Sequence, residues 1–470
     1  MAFLRPVRAC ALLHRRSAHL GNGRAAGDGQ EWGTGSTYRD AEKVLPLTGS
    51  PSPFLPTPED AMSDTLVAQP DRAPASFTAD MFRAAWTVTA VFMLSNSPTP
   101  LYVVWQRALG FSSGTLTVIF ALYIAGLLGT LLVAGQLSDR LGRKAVLLPG
   151  LFAALVACAL FATASSIAML AVARLLTGIA VGVMVSAGMA SVGDLGGTRR
   201  RRQAALLASV AMVLGAGLGP LLAGGIAQTL AHPVRPVFAV EFLVLLSAFV
   251  LTMRLPLTRP AEAAHAGARL RLPSVPQEYR RHVLSGIAVF GPGITATSFV
   301  LALGPSLLAR LLEVRSPLLA GGMACAMFVT ATGVQFAVRL WPVRAIFAAG
   351  STATVLAMGA LWLAVHASSA PVLVVAALLA GAGQGLGQLG GLTLISLHVP
   401  DTRRAEANAV MNMGGYLPAG LLAVSAGYAI DFLGLSTGTA MFAAVLALSA
   451  LVFGGAVLRA ESPRGATATS

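Results

Sequence analysis

The chain has 470 residues, of which 55% are apolar and only 11% charged, with a mean hydropathy of +0.73. A water-soluble globule carries about 25% charged residues to cover its surface, so an ordinary soluble enzyme and a disordered chain are both excluded, and most of this surface must meet lipid. The net charge is +14, and the three cysteines (Cys10, Cys158, Cys325) are too few for a disulfide framework and lack metal-ligand spacing.

Residues 1–81 are rich in Pro, Gly, Ser and Arg, and Arg5, Arg8, Arg15, Arg16 and Arg24 all precede the first acid, Asp28. The composition is similar to that of a transit peptide. The expectation is a disordered cytosolic tail, with Met62 an alternative start. A hydrocarbon core about 30 Å thick takes about 20 helical residues. By that ruler twelve apolar spans follow, at 82–104, 113–134, 144–164, 167–193, 204–229, 235–253, 283–307, 317–338, 344–365, 370–398, 407–430 and 436–458. The fold class expected is an all-α membrane protein of twelve helices in two six-helix pseudo-repeats. Residues 82–253 form the first bundle and 283–458 the second. A polar, Arg- and Pro-rich cytosolic linker occupies 254–282, and a cytosolic tail 459–470.

Loops after even-numbered spans hold Arg140, Arg143, Lys144, Arg199 to Arg202, Arg254, Arg259, Arg269, Arg271, Arg280, Arg281, Arg339, Arg344, Arg403 and Arg404. Loops after odd-numbered spans hold only Arg107, Arg235, Arg310 and Arg315. Lys and Arg mark cytoplasmic loops, so both termini are expected to be cytosolic, in a plasma or inner membrane. The basic balance is thereby a topology signal, and no nucleic-acid partner is expected. Spans 4 and 10 open alike, LLTGIAVG at 175–182 and LLAGAGQG at 378–385, and at the same offset Arg200 and Arg201 fall on Arg403 and Arg404. Two parallel six-helix repeats, with a binding site between them near the bilayer midplane, are a transporter plan.

Spans 2 and 3 are joined by GQLSDRLGRK, residues 135–144. Gly135 would let span 2 approach a neighbour closely, Gly142 would permit a tight turn, and Asp139, Arg140, Arg143 and Lys144 sit at the cytosolic mouth. The segment resembles the signature of the major facilitator superfamily. In that family the matching acid pairs with the motif's arginine and faces the N-terminal end of helix 11. The resemblance therefore implies that Asp139 and Arg143 latch the cytosolic gate in the outward-facing state. The loop at the matching place in the second half, VRLWPVR at 338–344, keeps Arg339 and Arg344 but has no acid.

ARLLTGIAVG at 173–182 resembles the family's second motif, which implies a part for Arg174 in proton coupling. A charge at membrane depth must face a cavity or a partner, unless it snorkels to the headgroups. Glu241 in span 6 lies at a similar depth, so a pairing is permitted. LGAGLGPLLAGG at 214–225 resembles the motif of the superfamily's antiporters. Gly215, Gly219, Pro220 and Gly224 match; Ala223 replaces one glycine, and an upstream glycine falls on Leu206. Its Pro bends the helix, and its glycines would seal a packed interface against leak.

SNSPTPLY at 95–102 carries Pro98 and Pro100, which break the helical ladder; the freed carbonyls need protein or water partners. Asn96, Thr99 and Tyr102 in span 1, with Gln335, Gln384, Gln388, Asn412 and Tyr416 in the second half, are candidate cavity residues. Met323, Met327, Phe290 and Phe299 would supply an adaptable apolar wall. The set suits a roomy, amphipathic, mostly uncharged substrate. Span 1 carries no buried acid, which weighs against a cationic one.

The seven histidines are scattered, and no phosphate-cradling GxxxxGK[ST] is present. No enzyme activity, metal or cofactor is expected, the proton gradient being the energy source. The expected function is proton-coupled export of a small organic compound or drug by alternating access. The partners expected are that substrate and the lipid bilayer, and the protein is expected to act as a monomer. Import by symport and a non-transporting receptor on the same scaffold remain open alternatives.

Overall fold

In lipid a backbone must satisfy its hydrogen bonds within its own segment, which makes each apolar span a helix. The computed structural model describes residues 75–197, 200–257, 273–310 and 313–460. The expectations for residues 1–74, most of the 254–282 linker and the C-terminal tail beyond 460 lie outside the described residues. Span 1 comprises α1 (Ala75–Asn96), a 3-10 turn (Thr99–Leu101) and α2 (Tyr102–Leu109). Spans 2 and 3 are α3 (Ser113–Leu141) and α4 (Arg143–Ala162). Span 4 runs through α5 (Ile167–Val183), a π-helical turn (Met184–Gly188) and α6 (Met189–Gly196). Spans 5 and 6 are α7 (Arg201–Thr229) and α8 (Val234–Arg254). The second half holds α9 (Gln277–Arg310), α10 (Pro317–Ala337), α11 (Val343–His366), α12 (Ala370–His398), α13 (Asp401–Leu433) and α14 (Leu435–Ala460). Eleven of these crossings are long and apolar enough to span a membrane without interruption; the broken first is the twelfth. No strand occurs among the described residues.

Helix extends beyond the expected apolar spans. The segment expected to be a loop at 135–144 is helical through Leu141, and the turn is Gly142 alone, at φ 93°. Polar side chains there cost a helix nothing once it has left the hydrocarbon, and the glycine supplies a backbone conformation that other residues rarely adopt. α9 likewise begins at Gln277, inside the expected linker. It is the most enclosed crossing, with 89% of its apolar window buried against 33–56% for the other uninterrupted spans, which places it at the centre of its half.

The repeat is visible in packing. A methyl group at Gly178 would overlap the Tyr123 carbonyl oxygen of α3, and one at Gly381 would overlap the Met327 carbonyl of α10. The same glycine thus permits the same close crossing, span 4 on span 2 and span 10 on span 8. Between halves, α7 packs on α10 and α3 on α13. The resolved contacts there lie toward the face opposite the basic loops: Gly224 against Pro317, Gly321 against Pro220, and Gly114 against Asp431 and Tyr428. Side-chain hydrogen bonds reinforce that face, from Ser306 to Gln106 Oε1 at 2.9 Å and from Ser316 to Gln228 Oε1 at 3.0 Å.

Candidate functional site

The two prolines break span 1 where expected, and the break is what builds the site. With no N–H on Pro98 or Pro100, α1 ends at Asn96, its last ladder bond running from the Ser97 N–H to the Met93 carbonyl at 3.1 Å. The Ser95 carbonyl, exposed by the break, accepts a hydrogen bond from Arg174 Nη1 at 2.6 Å. Two residues on, Ser97 Oγ donates to Glu241 Oε1 at 2.5 Å. Arg174 is 1% exposed and Glu241 is fully buried, so neither snorkels. They form no ion pair; the permitted pairing is replaced by two separate attachments to the broken segment of span 1.

The Arg174 guanidinium lies 5.1 Å from the Tyr102 ring centroid, with Phe120, Phe161 and Tyr123 at 5.7, 5.8 and 5.9 Å. Placing Arg at membrane depth costs about 2.5–3.5 kcal/mol on insertion scales. One charge-assisted hydrogen bond and four ring contacts work against that cost, while Arg174 Nε and Nη2 are buried without hydrogen-bond partners. Toward the non-basic face the pocket is closed by three mutually stacked rings, Trp105, Phe161 and Phe238, with centroids 5.1–6.0 Å apart. Tyr102 Oη and Glu241 Oε2 are likewise buried without hydrogen-bond partners, leaving polar atoms around the break for water or a proton to engage.

At the basic face Arg143 joins three helices. Its Nη1 donates to Asp139 at 2.5 Å and to Ser138 Oγ at 2.9 Å, and its Nε to Asp194 at 3.0 Å. Lys144 Nζ donates to the carbonyls of Met253 and Leu255 at the end of α8, a basic cap on a helix C-terminus. These contacts all stay within the first half, and the Asp139 side chain is 69% exposed. Gly135 faces open space, so the close approach expected for it is absent in this conformation. Asp194 was missed in the sequence; its signal is a lone acid just ahead of the basic run at 199–202.

The α7 motif divides its glycines between two neighbours. Methyl groups at Gly215 and Gly219 would overlap the Thr89 and Met93 carbonyls of α1, whereas one at Gly224 would overlap the Pro317 carbonyl of α10. Pro220, inside the helix, offers its carbonyl to Gly321 of the other half.

The candidate cavity set separates. Gln335, Gln384, Gln388, Asn412 and Tyr416 are half-buried. Gly385 against Ala331 sets the glutamines of α10 and α12 at neighbouring levels, and Tyr416 meets the Phe290 ring edge-on at 6.1 Å. Asn96 is half-buried and donates to Ser95 Oγ at 2.9 Å. Thr99 and Tyr102, by contrast, are fully buried; the turn carrying Thr99 also packs on α9 and α10 of the other half, and Tyr102 belongs to the Arg174 pocket. Met323, Met327, Phe290 and Phe299 are core residues, not a cavity wall, and Phe299 stacks on Phe442 at 4.2 Å. Apolar side chains facing other helices in a bundle are claimed first by the packing around them.

A profile described as Major Facilitator Superfamily matches residues 84–340. The multidrug resistance protein MdtL of Klebsiella pneumoniae (strain 342) is 29% identical over 231 residues, 47% of this chain and 56% of that protein. Human major facilitator superfamily domain-containing protein 10 is 35% identical over 137 residues, 29% of this chain and 30% of that protein. The chain thus spans about half or less of the length of these curated relatives. Among solved structures, the nucleoside transporter NupG superposes with a TM-score of 0.63 at 13% identity, over 82% of this chain and 100% of that one. The human organic anion transporter MFSD10 gives 0.55 at 20% identity, over 80% and 98%. At such identities the likeness is one of fold.

Proposed function

The chain belongs to the major facilitator superfamily, and from that premise we propose that it is a secondary active transporter exporting a small organic compound in exchange for protons. The observation that carries this reading is the pair of buried charges, Arg174 and Glu241, tied two residues apart to the break in span 1. A group that gains or loses a proton there pulls directly on the backbone of a helix that must bend for alternating access. Asp139, Arg140, Arg143 and Lys144 form the gate on the basic face, taken as cytosolic from its Lys and Arg. The inter-half contacts sealing the opposite face fit an inward-facing state.

Export over import rests on α7, whose Gly219 and Pro220 close the helix against both α1 and α10 and so suppress leak. The multidrug resistance protein among the relatives supports the same direction. The half-buried Gln335, Gln384, Gln388, Asn412 and Tyr416, with Asn96, suit a neutral amphipathic cargo.

Proteoliposomes loaded with a pH-sensitive dye test the proposal. A panel of neutral amphipathic compounds is added on one side, and proton movement is followed with and without an imposed gradient. Exchange predicts proton flow opposite to compound flow, abolished in Arg174→Ala. Flow of both in the same direction would make the protein a symporter, and no compound-dependent flux under any gradient would leave a receptor.

A further inference from the structure

The sequence around the basic-face acid recurs at the far end of α13. Asp139-Arg140-Leu141-Gly142 closes α3, and Asp431-Phe432-Leu433-Gly434 closes α13. In both, the acid is the third residue from the helix end, and the glycine adopts nearly the same conformation, φ 93° and ψ 155° at Gly142, φ 87° and ψ 160° at Gly434. The glycine N–H returns to the carbonyl four residues back in each, Ser138 at 3.0 Å and Ile430 at 2.9 Å. Because α3 and α13 run in opposite senses, the two acids lie on opposite faces of the molecule.

Asp431 is engaged. Its two carboxylate oxygens accept from the backbone N–H groups of Ser113 at 3.0 Å and Gly114 at 2.8 Å, the first turn of α3 in the other half. A helix N-terminus offers unsatisfied N–H groups and partial positive charge. Ser112 Oγ takes the Thr115 N–H at 3.2 Å, and Asp431 takes the two before it. The fit is close, since a Cβ at Gly114 would lie 2.7 Å from Asp431 Oδ2, and one at Gly427 would overlap Thr117 Oγ1. Asp139, in contrast, is bonded to Arg143 within its own half.

We propose that Asp431 is the latch of the non-basic face, a reciprocal counterpart of Asp139, so that α3 and α13 each carry a carboxylate that seats on the other's N-terminus in alternate states. In this conformation Asp431 is seated while Asp139 is paired with Arg143; rocking the halves exchanges them. The inference rests on the transporter reading for its purpose. Its test, however, reads conformation and not flux.

Cys325 of α10 faces Gly217 of α7 across the two halves, its Sγ 3.1 Å from where a Gly217 Cβ would sit. Cys325 is half-exposed here, and separation of the non-basic face opens its α7 side as well. The full-length protein in proteoliposomes, without substrate or gradient, is treated with a water-soluble maleimide, and Cys325 modification is followed by peptide mass spectrometry. Asp431→Asn and, independently, Gly114→Ala are expected to raise the labelling rate about two- to fivefold, the range set by a carboxylate at a helix N-terminus. Asp139→Asn is expected to lower it, and the double variant Asp431→Asn/Asp139→Asn to return it to near the wild-type rate. Wild-type labelling in both Asp431→Asn and Gly114→Ala, each monodisperse, would overturn the latch. A double variant indistinguishable from Asp431→Asn would overturn the reciprocity. If the labelling pattern holds while no compound moves protons, the transport reading fails and the latch stands.

Discussion

Arg174 and Glu241 are fastened to span 1 by single hydrogen bonds, so conservative changes at each should separate charge from shape. Arg174→Lys keeps the charge but loses the planar group that the Tyr102, Phe120, Tyr123 and Phe161 rings surround. Proton-coupled flux is expected to fall at least about tenfold, the equivalent of about 1.4 kcal/mol, with membrane insertion unchanged; wild-type flux would remove Arg174 from the coupling site. Glu241→Gln can still accept from Ser97 but carries no titrating proton. It should retain compound exchange in the absence of a gradient and lose the response to an imposed one, measured in the same vesicles. The depth and need of both charges were legible in the sequence. Their partners were not, because Ser95 acts through its carbonyl, which every residue possesses, and Ser97 is one of many serines in these spans.

The break in span 1 was legible for the opposite reason, since proline removes a specific N–H that no context restores. Replacing both Pro98 and Pro100 by Ala should let the ladder continue and withdraw the Ser95 carbonyl from Arg174. The expected result is an unchanged or higher Tm with transport lost; full activity would mean that the break is incidental. In α7, Gly224→Leu places bulk against the Pro317 carbonyl of the other half, whereas Gly219→Leu places it against Met93 within its own. The first should hinder closure of the non-basic face, raising Cys325 labelling at nearly normal Tm. The second should lower Tm by several degrees, consistent with overpacking costs of about 1–3 kcal/mol. The π-helical turn at Met184–Gly188 was not legible. It inserts one residue's worth of rotation in an apolar run with no proline or polar marker. The buried Met323, Met327, Phe290 and Phe299 were misplaced because periodicity shows that a side chain packs, not against which neighbour.

Twelve crossings, two look-alike halves and one family were readable from apolar lengths, the offset between spans 4 and 10 and the 135–144 segment, since lipid leaves so few alternatives to a helix. Sidedness follows from Lys and Arg alone and is open to direct measurement. Single cysteines at Ala231, on the non-basic face, and at Ala405, on the basic face, should react with an impermeant maleimide in intact cells and only after permeabilisation, respectively. The reverse pattern would invert every directional statement. The state captured could not be read from sequence, because both conformations use the same residues. The Arg174 pocket carries a further consequence for how the polypeptide is made. Ser95, Tyr102, Phe120, Tyr123 and Phe161 all precede Arg174 in the chain, and Ser97 precedes Glu241. During N-to-C synthesis each costly ion therefore leaves the ribosome after its hosts. A permuted gene that translates span 4 first should integrate poorly at the translocon, whereas a nascent chain stopped after span 4 should already hold it firmly.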